Sequence, residues 1–276
     1  MPRSILAQTI ERVQSGVIHI RVELRGQQLA SGSGFLHRGH LITNNHNLQM
    51  IREQAQTQPS LRVILRSNVP GMKTTDNEVH LTPEDFQACL EDGSEETRFD
   101  YAILRIPELL TQGRHEFCFG SPRQWRMGDE VALLGYPLNH QNLTCHTGII
   151  SSRYRRNGVE YIQLDASINP SNSGGPLIDP RTGEVIGIVT RRHDGFTELF
   201  RQVQEFFEEQ RGRLANQPLA PLLPQYPEME LKGLTASNIV SLLEQLKRSA
   251  NVGIGYAFSI EHVATSRVFA AEQDSL

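Results

Sequence analysis

Apolar and polar positions alternate along much of this chain, in short runs separated by turn residues. Val17 to Leu24, Gly34 to Thr43, Leu61 to Arg66, Val79 to Leu81 and Tyr101 to Ile106 each read as a strand. In the last of these Ala102, Leu104 and Ile106 share one face, with Tyr101 and Ile103 on the other. A second set comprises Glu130 to Gly135, Thr147 to Ser152, Tyr161 to Asp165, Pro176 to Ile178, Val185 to Thr190 and Gly255 to Ile260. The chain crosses between the sets around Arg114 to Arg126. Short strands at regular spacing with glycine turns predict an all-β barrel architecture. Residues 1–118 would hold an N-terminal helix and the first barrel, and residues 119–276 the second.

Two stretches leave the period of two. Met1 to Gln14 carries Ile5, Leu6, Ile10 and Val13 at the spacing of a short amphipathic helix. Between about residues 196 and 250 the pattern turns helical again, with Leu199, Phe200, Val203, Phe206 and Phe207 sharing a face. A Pro-rich connector, Gln217 to Pro227, leads to a second helix from Ala236 to Ser249 with Ile239, Val240, Leu242, Leu243 and Leu246 on its apolar side. This insertion is either a helical decoration packed on its own barrel or a lid and docking platform for an activating protein partner.

Composition narrows the function classes. The 276 residues carry a formal net charge of −4, which gives no bulk electrostatic case for a nucleic-acid or membrane partner. The basic run Arg153-Tyr154-Arg155-Arg156 reads as a solvated hairpin loop. Acidic residues Glu91 to Glu96 read as a loop before Asp100. Cys89, Cys118 and Cys145 are too few and too scattered for a disulfide framework or a metal-ligand pattern. Cys145 and His146 make no thiol dyad, because neighbours on a strand face opposite ways. No cofactor is implied. Without a signal-peptide h-region or an apolar span, the expected location is cytoplasmic.

The chemistry gathers at three places. Asn169-Pro170-Ser171-Asn172-Ser173-Gly174-Gly175-Pro176-Leu177 puts a serine in a tight turn followed by two glycines and a strand. A nucleophilic hydroxyl needs such an exposed bend, with backbone N–H groups facing the developing oxyanion. His46 closes the stretch Gly39-His40-Leu41-Ile42-Thr43-Asn44-Asn45-His46, where a short apolar strand runs into polar turn residues, at a strand end rather than in a core. Asp100 opens the strand of Tyr101 to Ile106, where a carboxylate among apolar residues needs a partner such as an imidazole N–H. Singly, each has a plainer reading: a glycine-rich turn, a surface histidine, a strand cap or a partner for Arg98. Together they fall in the chain order His, Asp, Ser of one known catalytic triad.

On these residues the sequence resembles a trypsin-like serine protease of the HtrA/Deg group. Ser31-Gly32-Ser33-Gly34-Phe35 with Leu41 to His46 is similar to that family's histidine segment, and Phe99 to Leu104 to its aspartate strand. Met127 to Pro137 resembles the start of its second barrel, Asp165 to Leu177 its nucleophile motif, and Gly253 to Ile260 its last strand. The resemblance implies two antiparallel six-stranded β-barrels of chymotrypsin type, with the active site in the cleft between them. It also implies that His46, Asp100 and Ser173 form the triad, that backbone N–H groups of Ser171 and Ser173 form the oxyanion hole, and that a protein or peptide is the substrate. Three departures stand out. Ser171 replaces a usual glycine and would resist the backbone conformation that points its N–H inward, which implies a hole collapsed at rest. Asn47 follows the histidine where a small apolar residue is commoner. Too few residues follow Ile260 for a PDZ-like region, so regulation through one is not expected of this chain.

The resemblance places Ser167 at the floor of the primary pocket, where no Asp is present to select Lys or Arg. Ile168 would narrow that pocket toward small or medium apolar side chains. Thr190, Arg191 and Arg192 lie on the strand expected to flank substrate, the two arginines either facing solvent or reaching the pocket to select an acidic side chain. Two functions remain open: a serine endopeptidase, constitutive or latent until a partner activates it, and a catalytically silent binding protein on the same fold.

Overall fold

In a computed structural model, residues 3–58, 60–69, 71–72, 77–110, 113–121, 124–190 and 253–273 are described, with the single positions 206, 209 and 239 besides. The chain divides into two compact units, residues 1–191 with 253–276, and residues 192–252. Everything below concerns the first. The expected helical insertion, Arg191 and Arg192 lie outside the described residues.

Among the described residues of the first unit there are thirteen strands: β1 Val17–Leu24, β2 Gln27–His37, β3 His40–Thr43, β4 Leu61–Ser67, β5 Glu78–Leu81, β6 Leu90–Ser94, β7 Tyr101–Leu104, β8 Glu130–Gly135, β9 Thr144–Arg156, β10 Val159–Asp165, β11 Pro176–Ile178, β12 Val185–Thr190 and β13 Ile254–Ser259. Strands β8 to β13 close into a six-stranded barrel, in the order β10-β13-β12-β11-β8-β9. The others form a seven-stranded sheet, β5-β4-β1-β2-β3-β7-β6, rather than the six-stranded barrel expected of the first half. Every pairing between these strands is antiparallel.

Core placement follows from the alternation. Ile18, Ile20 and Val22 of β1 face inward with Leu36, Leu41, Leu65, Ala102 and Leu104 to form the interior of the seven-stranded sheet. Val131, Leu133, Ile150, Ile162, Leu164, Leu177 and Val189 fill the barrel. A third cluster joins the two, with Val17, Phe35, Ile42, Ile103, Leu134, Tyr136 and Ile188. The amphipathic helix α1, Ile5–Val13, lays Leu6, Ile10 and Val13 on that third cluster. Its N-cap Ser4 accepts from the Ala7 N–H.

Several expectations need correction. The single run Gly34 to Thr43 is two strands, β2 and β3, split at Arg38-Gly39, where both residues take positive φ (44° and 74°) as a tight hairpin turn demands. The supposed acidic loop is largely strand β6, a sheet edge whose Glu91 and Asp92 are half-buried and pair with His40 and Arg267. The basic run Arg153 to Arg156 belongs to β9, and the hairpin turns one residue later at Asn157-Gly158. Four helices escaped notice: α2 Asn45–Thr57, α3 Pro83–Ala88, α4 Glu261–Ala264 and α5 Arg267–Gln273.

Candidate active site

The chain leaves β3 through Asn44, whose extended backbone (φ −78°, ψ 147°) opens α2. His46 is therefore in the first turn of a helix, not merely at a strand end. Helix-start N–H groups lack intrahelical acceptors and attract negative charge. Asp100 supplies both needs. Its Oδ1 accepts from the His46 backbone N–H at 3.0 Å, and its Oδ2 accepts from His46 Nδ1 at 2.7 Å. Thr190 Oγ1 donates to the same Oδ2 at 3.3 Å. Three donors thus offset the burial of a carboxylate only 1% exposed. Asp100 itself adopts φ +44°, a left-handed conformation that Asp tolerates, and Asn44 Nδ2 holds its carbonyl at 2.8 Å.

Donation from Nδ1 assigns the proton of the neutral imidazole to that nitrogen and leaves Nε2 as an acceptor. His46 Nε2 is buried with no hydrogen-bond partner. Among the described residues no hydrogen bond joins it to Ser173 Oγ.

The serine turn is held on all sides. Asn172 N–H donates to Asn169 O at 3.2 Å, Gly175 N–H to Asn172 O at 3.0 Å, and Gly174 N–H to Val189 O at 2.8 Å. The Ser173 carbonyl accepts from Ser33 N–H at 2.9 Å and from Asn47 Nδ2 at 3.2 Å. Gly174 has φ +88°, and a Cβ there would overlap Ser33 O and Thr43 Oγ1, so only glycine fits. Among the described residues no hydrogen bond takes the Ser173 N–H.

Ser171 departs from expectation in an informative way. It takes φ +75°, the left-handed region in which a glycine would be unstrained. Its carbonyl is clasped by Ser33 Oγ at 2.7 Å, and that hydroxyl also accepts from Tyr136 N–H at 3.0 Å. The side chain that was expected to resist this conformation therefore carries the strain, while β2 and the strand β8 end pin the peptide.

The structure thus bonds His46 and Thr190 to Asp100, and Asn47 and Ser33 to Ser173. Thr190 was expected beside substrate, and its hydroxyl donates to Asp100. Ser167 and Ile168, just after β10, are half-buried. Ile168 packs against the barrel core and lies over Gly255, where a Cβ would overlap its side chain. Ser33 was visible only as a motif member, and Asn47 only as a departure from the family pattern. The sign that could have marked them is polarity at positions that the strand and helix pattern buries. Among the described residues no group of three or more His, Cys, Asp or Glu side chains could hold a metal ion.

A family model for the trypsin-like peptidase domain matches residues 32–188, which span β2 through most of β12 and contain all three triad candidates. The chain belongs to the trypsin-like peptidase family. It is 28% identical over 270 residues to serine protease HTRA4 of Mus musculus, covering 89% of this chain and 48% of that protein. It is 31% identical over 209 residues to serine protease HTRA3 of Homo sapiens, covering 68% of this chain and 40% of the relative. The chain spans about half the length of the curated relatives it matches. Among solved structures, the HtrA-type protease AlgW with a tripeptide aligns with a TM-score of 0.50 at 25% identity, over 68% of this chain and 54% of that one.

Proposed function

We propose that this chain is a serine endopeptidase in which Ser173 attacks a peptide carbonyl and His46 Nε2 takes its proton. The observation that carries this reading is the buried His46–Asp100 pair, whose hydrogen bond turns Nδ1 to Asp100 and leaves Nε2 without a partner on the helix turn tied to Ser173. Asp100 orients the ring and stabilises the imidazolium, which then protonates the leaving amine. Backbone N–H groups of Ser173 and Ser171 are the oxyanion donors of this reading, each worth about 3 kcal/mol in the transition state. The left-handed Ser171 and its clasped carbonyl favour an inward N–H there.

The proposed domain plan keeps two halves, residues 1–118 and 119–276, a reading supported by the separate sheets of β1–β7 and β8–β13. The proposed substrate is a protein or peptide with a small or medium apolar side chain before the cleaved bond, since Ile168 lies against Gly255 beside Ser167. An acidic side chain selected by Arg192 is the competing preference. The hydrogen bonds that fix the serine turn favour an assembled site; an enzyme latent until an activating protein partner binds is the competing reading, with the segment at about 196–250, expected from its sequence to be helical, as the proposed contact. The proposed location is cytoplasmic; among the described residues no helix is long and apolar enough to cross a membrane. Hydrolysis of fluorescent casein by the purified chain, alone and with cell lysate, tests the reading. Activity absent from Ser173→Ala supports it, and equal activity in that variant rejects it.

A further inference from the structure

Asn47 directly follows His46 in α2 and is 3% exposed. Its Nδ2 donates to Ser173 O at 3.2 Å and to Thr43 Oγ1 at 2.9 Å. A carbonyl can only accept, so the amide nitrogen, not its oxygen, must face Ser173. Thr43 Oγ1 donates in turn to Ser33 O at 2.7 Å, and Ser33 N–H donates to Ser173 O at 2.9 Å. The hydrogen bonds close a ring through β2, β3, α2 and the serine turn. Gly32 makes room for it, because a Cβ there would stand 2.6 Å from Asn47 Nδ2.

We propose that Asn47 is a positioning residue that sets Ser173 against His46, an inference that rests on the reading of those two as nucleophile and base. Two consecutive residues of one helix turn do complementary work. His46 is oriented by Asp100 through both its ring and its backbone N–H. Asn47 reaches from the same backbone to the peptide of Ser173. Any shift of the α2 start therefore moves base and nucleophile together. Without the amide, the Ser173 carbonyl keeps the Ser33 N–H and the turn keeps its other hydrogen bonds, but the Ser173 peptide loses its tie to α2. Small misplacements of a reacting atom lower the chemical step far more than substrate binding. The effect belongs in kcat and in the reactivity of Ser173, with KM nearly unchanged.

The test is the second-order rate of inactivation by a fluorophosphonate between pH 5.5 and 8, for wild type, Asn47→Ala and Asn47→Asp. Asn47→Ala is expected to react about 3- to 10-fold more slowly, the change that loss of one hydrogen bond produces, with KM for a peptide substrate within about twofold. In Asn47→Asp the carboxyl donates only when protonated. Its rate relative to wild type therefore rises as pH falls, while its folded fraction, followed by circular dichroism over the same interval, stays constant, which a purely structural role would not allow. A wild-type rate in Asn47→Ala, a KM that rises while kcat holds, or a flat Asn47→Asp ratio overturns the proposal. If Asn47→Asp does not fold, Asn47→Ala alone decides by its kcat and KM. A wild-type protein that never reacts overturns the reading of Ser173 itself, and the proposal with it.

Discussion

His19 is fully buried in β1, stacked on Tyr136 with ring centroids 4.4 Å apart and planes 6° from parallel. Neither ring nitrogen has a hydrogen-bond partner. Burial pushes its pKa down to about 3, and the guanidinium groups of Arg21 and Arg66 add to the effect. The folded state therefore binds fewer protons than the unfolded state, in which the imidazole titrates near 6.5. Stability is full above pH 6.5 and falls as pH drops from there toward 3, by about 1.4 kcal/mol per pH unit. At pH 5 the loss from this one residue is about 2 kcal/mol. His19→Phe keeps an aromatic ring on Tyr136 while removing the proton site. Urea unfolding of both proteins at pH 7 and pH 5 gives the test. His37, His115, His146 and His262 also have pKa values lowered by burial, and they affect both proteins alike. Wild type is expected to lose about 2 kcal/mol more than His19→Phe over that interval. Equal losses would refute the claim that His19 stays neutral in the fold.

Three further substitutions probe the site. Thr190→Val removes one of the donors to Asp100 and is expected to lower kcat/KM about tenfold, the scale of a hydrogen bond to a charged group; an unchanged value contradicts a supporting role. Ser171→Gly relieves a left-handed conformation costing about 1–2 kcal/mol, against about 0.4–1 kcal/mol of added unfolded-state freedom. A slightly raised urea midpoint is expected, and a lowered one would show that the strain is not there. Gly174→Ala drives a methyl into Ser33 O at φ +88° and is expected to destabilise by about 3 kcal/mol or more, read by thermal unfolding. A near-neutral effect would mean that the serine turn is not packed as described.

The strands most legible in the sequence were those that an apolar run and flanking turn residues define together. β1, β8, β11 and β12 agree with their expected limits at both ends. Helix α2 was not legible, because Asn45-His46-Asn47 opens it with residues that favour turns, and its stability comes from burying Leu48 and Ile51 in the first core. β6 was hidden by its charge, which suits an edge strand as well as a loop. At the site, the three triad types and their order were readable, since motif spacing carries them. The direction of the Thr190 hydroxyl and the double clasp of Ser33 were not. Those depend on which strands become neighbours, and β2 meets the serine turn across 138 residues of sequence.

The central claim is that Ser173 is made nucleophilic by His46. Reaction of the full chain with a fluorophosphonate, followed by peptide mass mapping, tests it most directly. The account predicts a single phosphonyl adduct on Ser173, lost in Ser173→Ala and reduced by orders of magnitude in His46→Ala. An adduct on a different residue, or labelling of Ser173 that is indifferent to His46, would contradict it.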